Sequence, residues 1–309
     1  MHRPGLCAAT AGLLLLAPAC SLKHVAVNKL GNALAATGTT FEQDEDPELI
    51  AQAVPFGLKL YESLLDESPK HAGLLLAAAS GFTEYAYAFV DMPSAEVKET
   101  SLDRADAMRE RARKLYLRAH RYGLRGLDAR YAGFAAALDD DAAKALERVR
   151  KRDVPLLYWT AASLGLAISL SKDDPEMIGQ LPLVEAIVHR AAALDENFNS
   201  GAIPEFLITL ESNRSGVKKE VLQEAMRKHN ERALQLGRGL RAGAYVSYAE
   251  NACVPAQDEK QFVELLEKAL AIDTATHPEN RLANLIAQRR ARWLLAHKKD
   301  FFLEKDSAQ

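Results

Sequence analysis

The sequence predicts an all-α protein in which degenerate helical hairpins stack into a curved superhelix. Three observations predict it. Beyond residue 46, apolar residues recur at helical spacing nearly everywhere. Helix-starting and helix-ending residues mark off each segment, and no run alternates as a strand would.

The first element is an export segment. `MHRPGLCAATAGLLLLAPACSLKH` begins with His2 and Arg3, continues with the apolar run Leu6 to Leu16, and ends in small residues before Cys20. A membrane-spanning helix needs ~20 apolar residues. This run is shorter, so residues 1–19 read as a signal peptide that is removed. Ala17-x-Ala19 fits ordinary signal cleavage. Leu16-Ala17-Pro18-Ala19-Cys20 also resembles a bacterial lipobox, with Ala17 where Leu is preferred. The Cys directly after the small residues favours lipidation at Cys20. Acyl chains there would tether the protein to a membrane without a span. Ser21 after the Cys suggests, by analogy with Gram-negative lipoproteins, the periplasmic face of the outer membrane. Residues 20–46 are then an anchored N-terminal segment and 47–309 the helical domain.

Composition narrows the function. The chain has 309 residues, 48% hydrophobic and 26% charged, with net charge −3 and no basic tail. That describes a globular chain and a poor nucleic-acid partner. With Cys7 in the leader and Cys20 acylated, Cys253 has no mate, so packing alone must hold the fold. Between Ala252 and Val254 it reads as a small buried residue.

Asp46-Pro47-Glu48 opens the first domain helix, with Asp at the N-cap and Pro where no N–H is needed. Val54, Leu58, Tyr61 and Leu65 form one face, and Pro55 is a candidate kink. A second helix spans about 71–90 and ends at `DMPSAE`. Further helices are expected near 101–122, 128–137, 141–151, 155–171, 175–194, 199–212, 216–236, 243–250, 257–272 and 280–298. Ser101 and Asp174 open two of them, and Gly237 closes one.

Their ends repeat. `LLDESPKHAG`, `ALDENFNSGA` and `AIDTATHPEN`, with `GLDARYAG` as a weaker copy, place Asp66, Asp128, Asp195 and Asp273 at gaps of 62, 67 and 78. These bracket twice the 34-residue tetratricopeptide (TPR) period. Degenerate TPR-like hairpins with insertions would space this way.

Two helices are apolar nearly all round. `AGLLLAAASGFTEYAYAFV` carries one charge, Glu84, and `VPLLYWTAASLGLAISLS` carries none. Such helices are core or membrane-spanning. Their Gly, Ser and Thr, with no basic cluster following, favour core. Phe82, Tyr85 and Phe89 share one face, with Tyr87 pointing elsewhere, and Tyr158 and Trp159 open the second run. These rings are candidates to line an apolar ligand channel, against plain aromatic packing. Arg289 and Arg292 share a face of the last helix and are candidates to attract an anionic ligand, against a charged exterior.

Catalytic patterns are weak. No two histidines stand three to five residues apart, so no helical metal site is expected. Ser169-Leu-Ser171-Lys172 matches S-x-x-K without its companion motifs. A glycine-rich turn at 237–243 follows a helix rather than a strand. No catalytic residue, metal or cofactor is expected.

`VNKLGNALAATGTTFEQDEDPELI`, `LLLAAASGFTEYAYAFV`, `LYWTAASLGLAISLSKDDPE`, `GAIPEFLITLE` and `HPENRLANLIAQRRARWLL` together resemble the T-component (TatT) proteins of tripartite ATP-independent periplasmic (TRAP) transporters, in order over essentially all of the mature chain. Pro204 stands where related chains lead one to expect His. The resemblance implies an all-helical lipoprotein with TPR-like hairpins, a trimer, a channel through the protomer, and docking of a periplasmic solute-binding protein. The expected function is thus a non-enzymatic accessory of TRAP-type uptake that passes a small, partly apolar organic ligand. The alternative is a generic TPR scaffold for envelope assembly, without a channel.

Overall fold

The computed structural model describes residues 19–35 and 38–303, with side chains described for 27–35 and 40–303. The leader over 1–19 and the lipidation at Cys20 fall outside the described side chains. Among the described residues every regular element is helical.

Helix α1 (Ala19–Ala35) and a short α2 (Gly38–Glu42) precede α3 (Pro47–Glu67). Asp46 caps α3 as its sequence implies, accepting from the Glu48 and Leu49 N–H groups at 3.0 Å each. Pro55 lies within α3, which runs on through it. Then α4 (Ala72–Ala86) begins at His71, whose Nδ1 accepts from Leu74 N–H at 3.1 Å.

The expected break at 91–96 is absent. After α4 the chain makes a π-helical turn, Tyr87–Asp91, and continues as α5 (Met92–Lys98). Pro93 explains the turn, because a proline has no N–H to give to the preceding ladder. The widened turn absorbs the lost bond one residue earlier, with Met92 N–H reaching back to the Tyr87 carbonyl. One extra residue at 3.6 per turn swings the downstream face by roughly 100°.

Helix α6 (Leu102–Arg130) is the spine. The helix expected to end near 122 runs on to Arg130, so the one expected over 128–137 begins only at Phe134. Asp128 does not end it; its carboxylate accepts from Ala135 N–H at 2.9 Å and fastens the next segment instead. Helices α7 (Phe134–Asp140) and α8 (Ala142–Glu147) lead to α9 (Val154–Ser169), the fully apolar run. The segment expected over 175–194 splits into α10 (Pro175–Ile178) and α11 (Leu181–Asp195). Helices α12 (Ala202–Ser212), α13 (Lys219–Leu236) and α14 (Ala242–Tyr248) follow. A second π-helical turn, Ala249–Cys253, leads into α15 (Val254–Ala256), and again a proline, Pro255, stands six residues after the turn begins. Helices α16 (Glu259–Leu270) and α17 (Arg281–Ala296) complete the set.

Successive helices pack side by side: α4 on α3, α6 on α4, α9 on α6, α11 on α9, then α12 with α13, and α14 with α16 and α17. Small residues set the spacing. A methyl group on Gly123 of α6 would lie 2.2 Å from the Thr160 hydroxyl of α9, and one on Gly126 would lie 2.6 Å from Leu156. Helix α9 is buried from Leu156 to Ile168 along most of its length, which makes it a core helix. Residues Ala72–Lys98 are long and apolar enough to cross a membrane, but Leu74, Leu75, Ala78, Ala79, Phe82 and Ala86 are buried against protein. Each buried large side chain contributes ~1.5–3 kcal/mol.

The two ends of the helical series meet. Arg281 of α17 donates to the Gln43 carbonyl at 3.1 Å, Arg289 pairs with Glu96 of α5 at 2.8 Å, and His297 Nε2 lies 3.1 Å from Glu99. Helices α4–α5 and α17, far apart in sequence, thus close the structure into a ring.

Candidate functional site

Ring closure surrounds the α4 turn region with other helices. Tyr87, on the first π-helical turn, keeps 43% of its surface accessible although it lies deep within the protein. Glu84, one turn earlier on α4, is likewise accessible yet deeply enclosed. Surface that is open to solvent yet surrounded by protein faces a recess of the ring, its lumen.

Six structural neighbourhoods supply its polar groups. Glu84, Tyr87 and Asp91 come from α4 and its π-helical turn, Tyr158 from α9, and Glu205 from α12. Arg241 stands at the N-cap of α14, Glu250 in the second π-helical turn, and Arg290 on α17. Their charges act on one another across the space: Tyr158 responds to Glu205, Arg241, Glu84 and Tyr87, and Tyr87 to Glu250, Arg290, Glu205 and Asp91.

Two ion pairs are built in. Arg241 reaches Glu205 Oε2 through Nε and Nη2 at 3.2 and 3.1 Å. Gly243 allows this approach, because a Cβ there would meet Glu205 Oε1 at 2.2 Å. Asn284 of α17 holds the backbone beside Arg241, accepting from Ala242 N–H at 2.8 Å and donating to the Leu240 carbonyl at 2.9 Å. Arg290 donates to Glu250 at 2.6 Å and stacks over Trp293 at 4.4 Å.

Three polar tips have no hydrogen-bond or ion-pair partner among the described residues: the Glu84 carboxyl and the Tyr87 and Tyr158 hydroxyls. Enclosure in protein pushes the Glu84 carboxyl up to about 8, with the like charge of Glu42 adding to the shift and Arg241 opposing it. Burial also raises Glu42 and Asp91, the latter despite a 2.9 Å hydrogen bond from the Tyr116 hydroxyl. Both tyrosine hydroxyls are held far above their ordinary range, first by burial and then by nearby carboxylates.

The residues singled out from sequence fall in different places. Phe82 is buried, stacked on Tyr122 with centroids 5.9 Å apart and the Arg118 guanidinium 5.0 Å above its ring, so it packs between α3 and α6. Tyr85 and Phe89 pack on each other at 5.8 Å, and the Tyr85 hydroxyl accepts from Arg111 of α6 at 3.3 Å. Tyr158 faces the lumen and packs edge-on against Trp159 at 4.9 Å, with Phe198 and Phe206 beyond. Arg289 serves the closing seam, and Arg292 is exposed with no ion pair among the described residues. Ser169 donates to the Leu166 carbonyl at 2.7 Å.

A sequence profile of the TRAP transporter T-component family matches residues 43–302, the whole ring. The chain belongs to that family. A relative from Treponema pallidum (strain Nichols), described as an uncharacterized protein, is 33% identical over 319 residues, covering 96% of this chain and 97% of the relative. Membership makes the chain an accessory component of TRAP transport.

Sequence reasoning passed over Glu84, Tyr87, Glu205, Arg241, Glu250 and Arg290. Glu84 carried a signal, as the single charge in an apolar helix. Tyr87 was the ring off the aromatic stripe, and it is the one that faces inward. The π-helical turn that aims this region is set by Pro93, whose effect on phase is invisible to a regular 3.6 periodicity.

Proposed function

We propose that this T-component is a non-enzymatic, lipid-anchored periplasmic accessory of a TRAP-type uptake system. It docks a periplasmic solute-binding protein and passes a small, partly apolar organic ligand through its lumen. The single observation that carries this reading is Tyr87, accessible yet deep inside the ring. The stacked helices are read as TPR-like hairpins wound into a superhelix, with acylated Cys20 holding them to the inner leaflet of the outer membrane. A trimer follows from the family resemblance.

The outside of the ring offers a place for a protein partner. Leu49 and Phe56 on α3 are 54% and 75% exposed at i, i+7 spacing, with Ala53 exposed between them. Exposed apolar stripes of this kind commonly mark interaction surfaces. The test is co-elution of the acyl-less chain with the solute-binding protein of its own TRAP system on a sizing column. A complex is expected, weakened by Phe56→Asp. Separate elution at every ratio would overturn docking and leave a tethered ring without a partner.

A further inference from the structure

We propose that one exposed face of α6 is a docking strip for an acidic helix of a partner protein, one that carries carboxylates at seven-residue spacing. The strip stands apart from the lumen and from the apolar patch on α3.

The arrangement of charge carries it. Arg104, Arg111, Arg118 and Arg125 follow one another at steps of seven along α6, with Lys114 and Arg121 between them. At 3.6 residues per turn all six fall within roughly 100° of the helix circumference, in a row about 32 Å long. Arg118 is half-exposed and the other five are exposed. Three of the guanidiniums are seated on rings. Arg111 lies over Tyr85 at 5.8 Å, Arg118 over Phe82 at 5.0 Å and Arg125 over Tyr122 at 5.2 Å. The Tyr85 hydroxyl accepts from Arg111 and the Pro69 carbonyl from Arg125, each at 3.3 Å. A guanidinium fixed in this way keeps its other N–H groups for a carboxylate and has less freedom to lose on binding.

Few carboxylates answer this row from within the protein. Glu62 meets Arg118 at 2.6 Å but is shared with Lys59, and Glu110 meets Lys114 at 3.2 Å but is shared with Arg113. Asp106 is taken by Arg109, and Asp103 stands before the row begins. Arg104, Arg111, Arg121 and Arg125 have no ion pair among the described residues. Neighbours within the row are like charges at i,i+3 and i,i+4: Arg111 with Lys114, Lys114 with Arg118, Arg118 with Arg121, and Arg121 with Arg125. Such pairs disfavour a helix. The row therefore weakens the helix that bears it, and a partner's carboxylates would relieve that repulsion.

The occupant follows from the spacing. Two helices lying side by side keep facing each other at a period of seven residues. A helix laid along α6 would thus meet every cation of the row, with its own carboxylates about 10.5 Å apart. An open hollow of about 690 Å³ lies along the middle of the row, lined by Ala107, Leu115 and Leu117 beside four of the cations. It would take small apolar side chains of that helix. A flat lipid surface would touch the tips of the row and leave the hollow empty.

Fluorescence anisotropy with two labelled synthetic helices tests this on the acyl-less chain. One carries glutamates at seven-residue spacing on a single face. The other has the same composition, with its glutamates spread round the helix. The patterned helix should bind about tenfold or more tighter, and less tightly as salt rises. Lys114→Glu with Arg121→Glu should weaken it by about tenfold or more, with no fall in the urea midpoint. A helix with lysines in place of the glutamates should bind this reversed variant better than the parent. Phe56→Asp should leave the binding unchanged, which separates the strip from the α3 patch. If the double variant unfolds more readily than the parent, Arg121→Glu alone carries the comparison. Equal affinity for the two helices, or no loss in the reversed variant, overturns the proposal. So does capture by phosphatidylglycerol vesicles without binding of the patterned helix, which would make the row a lipid contact.

Discussion

Arg289 on α17 meets Glu96 on α5 at 2.8 Å, joining residues 193 positions apart. This contact, with His297–Glu99 and Arg281–Gln43, turns a row of stacked helices into a closed ring. A row of helices has a concave groove; a closed ring has an interior. Arg289 thus shapes the lumen without entering it.

The pair is partly exposed, at 58% and 30%, so its own contribution to stability is ~0.2–1 kcal/mol. Glu96→Lys should therefore barely change the unfolding midpoint. It should instead speed amide exchange in Met92–Lys98 and in Arg281–Ala296, where two like charges now face each other. The charge swap Glu96→Lys with Arg289→Glu should restore slow exchange. Unchanged exchange in the single variant would show that the seam is held by its other contacts.

Closeness of α6 and α9 is a second point of control. Gly123→Ala drives a methyl into the Thr160 hydroxyl, 2.2 Å from where Cβ would sit. Overpacking of this kind costs about 1–3 kcal/mol. The loss should appear as a lower urea midpoint, and Thr160→Ala should recover much of it by making room. A neutral Gly123→Ala would mean that these helices slide apart freely.

How much of this was legible beforehand depends on the physics of each element. Caps were legible because they are local: Asp46, Ser101 and Asp174 each bond an N–H within three residues, as their sequences imply. The length of α6 was not. `YGLRGLDAR` looks like a break, yet Gly123 and Gly126 are there so that α9 can approach, a tertiary demand that local propensity does not contain. The apolar helices were read rightly as inward-facing, but the inward direction was taken from the aromatic stripe Phe82–Tyr85–Phe89. That stripe packs toward α6, and the lumen takes Glu84, Tyr87 and Tyr158. Ring closure itself, between residues nearly two hundred positions apart, leaves no periodic trace.

Asp153 should behave as a structural anchor. It is fully buried before α9 and accepts from the Tyr131 hydroxyl at 2.6 Å, from Arg150 N–H at 2.8 Å and from the Arg130 guanidinium. Burial alone would raise its carboxyl, but these donors outweigh it and hold it below the ordinary 3.8. A depressed carboxylate gives stability that is fully present above the ordinary value and is lost as pH falls through the folded one. Asp153→Ala should cost about 1–3 kcal/mol, because it leaves the Tyr131 hydroxyl and the Arg150 N–H without their acceptor. Asp153→Asn should unfold with less acid dependence below pH 3.8 than the parent does. Equal acid sensitivity in parent and variant would mean that other carboxylates govern acid unfolding.

Glu84 has the opposite sign. Its carboxyl is raised from the ordinary 4.5 to about 8 in the folded state. Between those values the folded chain keeps a proton that the unfolded chain has released. Stability from this group therefore falls as pH rises from 4.5 to 8 and is level above that. Glu42 and Asp91 are raised too, and Arg241 opposes the shift, so the whole protein's pH profile is a composite. The difference between parent and Glu84→Gln isolates one carboxyl from it. Urea midpoints across this range should show the parent losing ground to Glu84→Gln as pH rises. A constant difference between the two chains at every pH would mean that Glu84 ionises like a surface glutamate, with open water around it.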